Sequence, residues 1–277
     1  MHTLTLGYSP CPNDTYIFHA LAAGLTPVAG YATDIFLADV EELNALAAKG
    51  IPDVVKVSTA AAAGLLDTYV LLRAGGAMGF GCGPVLVGRD DRPLEAYRNA
   101  TVAIPGRRTT ANLLLECHGG FAGPRLELVF DQVMPAVAEG RADLGVVIHE
   151  GRFTYAAHGL RKRLDLGQWW EEAFALPLPL GCIAIRRSLG PDAAKAVQRA
   201  IRASLAHANA DPVAPWDYIT AHAQEMDPEV IRNHIATFVT PFSHDIGDAG
   251  EHAMRTLLAK ACALSGRALP DLPLFVA

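Results

Sequence analysis

Gly181-Cys182-Ile183-Ala184-Ile185-Arg186-Arg187 repeats the design of Gly83-Pro84-Val85-Leu86-Val87-Gly88-Arg89: a glycine, a short apolar strand, then arginine. Before the second copy, strand-like runs alternate with helical ones, the pattern of sheets covered by helices on both faces. After it every signal is helical, with N-terminal cues at Pro191-Asp192, Pro212 or Pro215, Asp227-Pro228 and Gly247-Asp248. A chain that builds one α/β lobe, crosses to another, crosses back and closes with helices makes a two-lobed ligand-binding architecture. Two crossover strands then form the hinge, and the ligand sits in the cleft. The expected crossings lie near residues 84–95 and 182–187. They define a discontinuous large lobe, 1–90 plus 187–277, and a small lobe, 91–186, with the substrate cleft between them.

Working outward, Thr3–Tyr8 reads as a strand entering the loop Ser9-Pro10-Cys11-Pro12-Asn13-Asp14 and a helix over Thr15–Ala23, capped by Asn13 or Asp14. Asp53–Val57 is a second strand, leading at Ser58-Thr59 into an alanine-rich helix that ends near Leu66. Tyr69–Arg73 and Pro84–Arg89 are strands on either side of the glycine-rich run Gly75–Gly83. That run lacks a Gly-Lys-Ser/Thr ending and leads into a strand rather than a helix, so it is no phosphate loop; it is expected to let backbones approach closely. The pattern restarts with strand Thr101–Ile104, turn Pro105–Arg108 and a helix entered at Thr109-Thr110. Strand Leu126–Phe130, a helix around Met134–Glu139 and strand Leu144–Ile148 follow.

Composition narrows the class. The 277 residues suffice for real cores in two domains, and the net charge of −6 offers no basic field for nucleic acid or an anionic membrane. Mean hydropathy is +0.21, but the richest apolar stretch, Ala60–Leu72, is mostly alanine and is broken by Asp67. No membrane span is expected. Five scattered cysteines without a Cys-x-x-Cys pair argue against a disulfide framework or a zinc site, and no His-Glu-x-x-His is present. The start, Met1-His2-Thr3-Leu4-Thr5-Leu6, has neither a basic nor an apolar leader pattern, so the expected location is cytoplasmic.

The chemistry concentrates in Val146-Val147-Ile148-His149-Glu150-Gly151-Arg152-Phe153-Thr154-Tyr155, where a buried-looking strand ends in His149. Ligands of open α/β sheets gather at such carboxyl ends, and imidazole is the side chain whose ordinary pKa lies nearest neutrality, which makes His149 a candidate general base. Ser9–Asp14, Lys56–Thr59 and Arg107–Thr110 each open a helix, offering backbone N–H groups and hydroxyls to an anion, most simply a carboxylate or phosphate. Lys56 puts a cation inside the apolar strand Val54-Val55-Lys56-Val57, either emerging at the cleft or meeting an acid. With no Gly-x-Ser-x-Gly, no activated cysteine and no nucleotide fingerprint, what remains is a cofactor-free site with no metal.

Leu6–Thr15, Lys56-Val57-Ser58, Pro105–Thr110, Ile148–Tyr155, Leu176–Gly181 and Pro273–Val276 together resemble the 1,4-dihydroxy-6-naphthoate synthases of the futalosine route to menaquinone, over nearly the whole chain. The resemblance implies a type II periplasmic-binding-protein fold turned to catalysis in the cytoplasm. It implies a carbon-carbon lyase that converts cyclic dehypoxanthinylfutalosine into dihydroxynaphthoate and dihydroxyacetone. His149 would be the proton acceptor, and Lys56, Val57, Ser58, Thr109 and Thr110 would contact this small carboxylate substrate. Gly151 stands after the histidine-glutamate pair, where the resemblance implies a small polar residue, and Arg108 occupies a variable turn position; neither touches the matched base. Two other readings of the same fold are a non-catalytic binding protein for a small carboxylate and the chorismate-dehydrating enzyme of the same pathway. The His149–Tyr155 segment favours the synthase.

Overall fold

Leu4, Leu6 and Tyr8 point into one core from the first strand, and they set the layer on which the first of two units is built. The structure is a computed structural model and describes residues 2–224 and 227–276. In chain order the first unit contains β1 (His2–Tyr8), α1 (Pro12–Ala22), β2 (Tyr31–Leu37), α2 (Val40–Ala48), β3 (Val54–Ser58), α3 (Thr59–Ala62), β4 (Tyr69–Leu71) and β5 (Ala77–Gly79). The second contains β6 (Val85–Gly88), β7 (Val102–Ile104), α4 (Thr110–His118), β8 (Arg125–Glu127), α5 (Phe130–Ala138), β9 (Leu144–Val147), α6 (Gly151–Thr154), β10 (Arg161–Asp165) and α7 (Leu166–Phe174). The first is completed by β11 (Leu178–Arg186), α8 (Gly190–Ala210), α9 (Trp216–His222), α10 (Pro228–Phe238), α11 (Pro241–His244) and α12 (Gly247–Leu264).

The units divide as Met1–Gly79 with Pro179–Ala277, and Phe80–Leu178. The passages therefore fall before β6 and at the start of β11, ahead of the expected 84–95 and 182–187. The reason is pairing: all of β6 bonds to β9 and β10, whereas β11 bonds to β3 and β4. The two look-alike strands belong to different sheets.

The first unit's sheet runs β2-β1-β3-β11-β4, with β5 added on β11. β1 is parallel to β2 and β3, while β11 runs antiparallel to its neighbours. Ile17, Phe18 and Leu21 of α1 meet Val197, Ile201 and Leu205 of α8 in its core. The second unit's sheet runs β10-β6-β9-β7-β8, with β7 parallel to β8 and β9, and its core joins Val85, Val87 and Val147 to Val133, Ala136 and Val137 of α5.

Several expected boundaries move. α1 begins at Pro12 with Cys11 as its N-cap, not at Thr15, because proline suits the first helical position. That places Asn13 and Asp14 inside the first turn. The alanine-rich helix stops at Ala62, and Phe130 starts α5 instead of ending a strand. β2 and α2 carry no expectation in the sequence reading, and the basic run Arg161-Lys162-Arg163 lies in the edge strand β10.

The glycine-rich run does permit close approach. A Cβ on Gly83 would stand 2.2 Å from Gly167 Cα, and one on Gly76 would stand 2.8 Å from the Gly181 carbonyl oxygen. Neither neighbour is a flexible side-chain end. Gly83→Ala should therefore lower stability by roughly 1–3 kcal/mol in urea unfolding. Gly64→Ala, whose Cβ would meet only Ala61 O at 3.5 Å and Arg267 at 3.7 Å, should be near neutral. Equal midpoints for the two variants would remove the Gly83–Gly167 contact as a constraint on the second unit.

Candidate active site

Within the first unit the site is built on β3. All five of its residues are buried, and Lys56 is 5% exposed. An ammonium at that depth needs a counter-charge, and Asp14, from the first turn of α1, forms an ion pair with it. The Asp14 carboxylate is saturated with donors. Its Oδ2 accepts from Ser9 Oγ at 2.7 Å, and its Oδ1 accepts from Asn13 Nδ2 at 2.9 Å as well as from Lys56. On the far side Asn13 Oδ1 lies 2.9 Å from Nε2 of His234, a fully buried residue of α10. Gly181, opposite Ser58 on β11, leaves room for the lysine stem: a Cβ there would stand 3.0 Å from Lys56 Cε.

Ser58 is held by Asn44 of α2. Its N–H donates to Asn44 Oδ1 at 2.9 Å, and its Oγ accepts from Asn44 Nδ2 at 3.1 Å. The orientation of that amide is fixed because Nδ2 also donates to the Glu41 carboxylate at 3.1 Å. Ser58 Oγ thus accepts within the protein and keeps its proton to give. Val57 is fully buried opposite Cys182, so only its backbone can meet a ligand.

Within the second unit the candidates lie at the carboxyl ends of two adjacent parallel strands, β7 and β9. Thr109 caps α4: its Oγ1 accepts from Asn112 N at 3.2 Å and donates to Gly106 O at 2.7 Å. Its hydroxyl proton is committed. Thr109 and Thr110 are both buried, whereas Arg107 and Arg108 are exposed, and Arg107 pairs with Glu127 at 3.2 Å.

His149 follows β9 with φ of 55°, one of two positive-φ residues other than glycine among the described residues. Such a backbone is uncommon for a residue with a side chain and persists only where its surroundings hold it. Three of them do so here. The Phe130 ring meets the imidazole edge to face, centroids 5.0 Å apart. Gly151 lets the next turn fold tightly onto the strand, since a Cβ there would be 2.4 Å from Val147 Cγ1. Arg152 donates to Gly83 O at 2.5 Å and to Asp165 Oδ2 at 2.8 Å, and Asp165 caps α7 through its other oxygen.

Sequence reasoning did not single out Asn44, Phe130 or Asp165 and saw Asp14 only as a cap; what could have flagged Asp14 is the lone lysine of β3, which demands an acid. Trp170 is fully buried with its indole N–H on Pro177 O at 3.2 Å, while Trp169 lies half-buried against His118, ring centroids 5.5 Å apart. Among the described residues no cluster of three or more His, Cys, Asp or Glu could hold a metal ion, and no helix is long and apolar enough to cross a membrane.

Two α/β units with mixed sheets of this topology define a fold of the periplasmic-binding-protein class. The periplasmic aliphatic sulphonate-binding protein of Escherichia coli superimposes with a TM-score of 0.66 at 11% identity, covering 99% of this chain and 91% of that chain. A crystal structure of an Archaeoglobus fulgidus protein is nearer, with a TM-score of 0.88 and 32% identity over 96% of this chain and 98% of that one. In sequence, the chain is 47% identical to the 1,4-dihydroxy-6-naphthoate synthase of Thermus thermophilus over the full length of both. It is 45% identical to that of Streptomyces coelicolor, over 94% of this chain and 93% of the relative. Residues 4–263 match the menaquinone-biosynthesis family. The chain belongs to that family and is an enzyme of menaquinone biosynthesis.

Two of the buried thiols are poor nucleophiles. Burial pushes Cys82 and Cys182 each up to about 12, so both stay protonated at neutral pH. At pH 8 iodoacetamide should label the half-buried Cys117 and leave Cys82 and Cys182 unmodified in native protein, as read by peptide mass spectrometry. Rapid labelling of Cys82 or Cys182 would reopen covalent catalysis.

Proposed function

We propose that the chain is a 1,4-dihydroxy-6-naphthoate synthase, a carbon-carbon lyase that takes cyclic dehypoxanthinylfutalosine to 1,4-dihydroxy-6-naphthoate and dihydroxyacetone in the cytoplasm without a metal or cofactor. The observation that carries this reading is His149, held with φ of 55° at the carboxyl end of β9, in a full-length relative of two enzymes bearing that name. His149 removes a proton from the substrate, the bond to the sugar-derived carbons breaks in a retro-aldol sense, and aromatisation of the second ring draws the reaction forward. Lys56, Val57, Ser58, Thr109 and Thr110 bind substrate.

On this reading, their hydrogen bonds suit these residues to different tasks. Ser58 has a hydroxyl proton to donate, whereas Thr109 has spent its own on Gly106 and can offer a lone pair or its methyl. Val57 offers backbone. Donors of this kind hold the aryl carboxylate and stabilise the oxyanion that develops as the bond breaks.

Incubation of metal-stripped protein with cyclic dehypoxanthinylfutalosine should yield dihydroxynaphthoate by chromatography. His149→Asn is the informative variant, because asparagine tolerates a left-handed backbone and keeps the turn while lacking a base. Its kcat should fall about a hundred- to ten-thousand-fold with substrate affinity little changed. Retained turnover in that variant would take His149 out of the mechanism. Wild-type protein that binds the compound without converting it would favour a non-catalytic carboxylate-binding protein.

A further inference from the structure

The buried ammonium of Lys56 is neutralised by Asp14, but the hydrogen bonds continue beyond that pair. Asp14 Oδ1 accepts from Asn13 Nδ2 at 2.9 Å, and Asn13 Oδ1 lies 2.9 Å from His234 Nε2, across 221 residues of chain. A carboxylate paired with an ammonium can only accept, so the NH2 end of Asn13 must face Asp14 and its carbonyl end must face His234. His234 Nε2 must therefore carry a proton and donate it. The donors converge on the Asp14 carboxylate from two sides, from His234 on α10 through Asn13 in the first turn of α1, and from Lys56 on β3.

All four residues are at most 5% exposed, so water does not compete for these bonds. Their arrangement is more than a way of filling the core. A helix as apolar as α10 on its inner face, where Ile231 and Phe238 are buried beside His234, could have seated a leucine at that position without cost in burial. An imidazole there serves the amide it contacts, and that amide has one other partner, the acid that holds Lys56.

We propose that His234 and Asn13 are positioning residues for Lys56. Acting through Asp14, they fix where the ammonium of this β3 lysine stands, and with it the affinity of the site for its anionic substrate. The proposal rests on the functional reading above for its consequence in turnover, but the relay itself is a property of the folded protein.

The test compares His234→Leu, which removes the donor at similar volume, with His234→Gln, whose amide restores an N–H. In wild-type protein a 15N-selective NMR experiment should give a protected Lys56 ammonium resonance, identified by its loss in Lys56→Met. His234→Leu should shift or broaden that resonance, and His234→Gln should return it most of the way. With cyclic dehypoxanthinylfutalosine, His234→Leu should raise KM roughly tenfold while kcat changes less than about threefold, and His234→Gln should recover most of the loss. If the two variants alter the resonance and KM alike, or neither alters them, His234 is packing only and the proposal fails. If wild-type protein makes no dihydroxynaphthoate, the assigned reaction fails while the ammonium resonance still decides whether the relay holds Lys56.

Discussion

The ion pair between Lys56 and Asp14 is the constraint around which the first unit is arranged. A lysine in the middle of an apolar strand is tolerable only if its charge is met at close range, and removing one partner of such a pair typically costs about 3–5 kcal/mol. Meeting that demand moves other parts of the chain. The acid must come from the first turn of α1, so the helix starts early, at Pro12, and the side chain that could have capped it is turned inward. The lysine stem packs close against β11, and residue 181 there is glycine. The acid needs its remaining lone pairs filled, so Ser9 and Asn13 turn toward it. A polar cluster at this depth adds little net stability compared with apolar packing of the same volume. Its retention is better explained by what it holds in place.

The second unit solves a different problem, keeping a side-chain-bearing residue in a left-handed conformation at the end of β9. A glycine at 149 would adopt that backbone at no cost but would carry no imidazole. The turn is therefore tightened from beyond by Gly151, pinned by the contacts of Arg152 with Gly83 and Asp165, and walled by Phe130. The close passage of Gly83 beneath Gly167 belongs to the same arrangement, since it brings the carbonyl that Arg152 needs alongside the cap of α7. Strain at one position is balanced by packing and charge at five others.

These relations explain what could be read in the sequence and what could not. The alternation of strands and helices, the terminal helical run and the strand ending in His149 follow from local periodicity, and periodicity survives in a single chain. Lys56 stood out because a charge in an apolar strand violates the local rule. Its partner did not, because Asp14 satisfies an ordinary helix-cap rule equally well, and only the three-dimensional register of β1 against β3 tells the two roles apart. Asn44 and His234 were invisible for the same reason: each acts on a residue 14 or 221 positions away, with no local pattern to mark it. The look-alike strands at Val85 and Ile183 misplaced the passages between units, since a strand's sequence says that it is buried and not which sheet it joins.

The direction of each hydrogen bond carries more functional information than the list of polar residues. Ser9, Ser58 and Thr109 look equivalent as hydroxyls at helix starts, yet they differ once their protons are assigned. Ser9 gives its proton to Asp14 and Thr109 gives its own to Gly106, while Ser58 receives from Asn44 and remains a donor. Glu41 is what fixes this, because an acceptor-only carboxylate decides which way the Asn44 amide must point. An acid with no contact to the site thereby makes Ser58 a hydrogen-bond donor, just as Asp14 fixes the Asn13 amide and so the protonated nitrogen of His234. Preset donors matter wherever negative charge develops at a site, because donors that must reorient as charge develops would lose much of the stabilisation they could give.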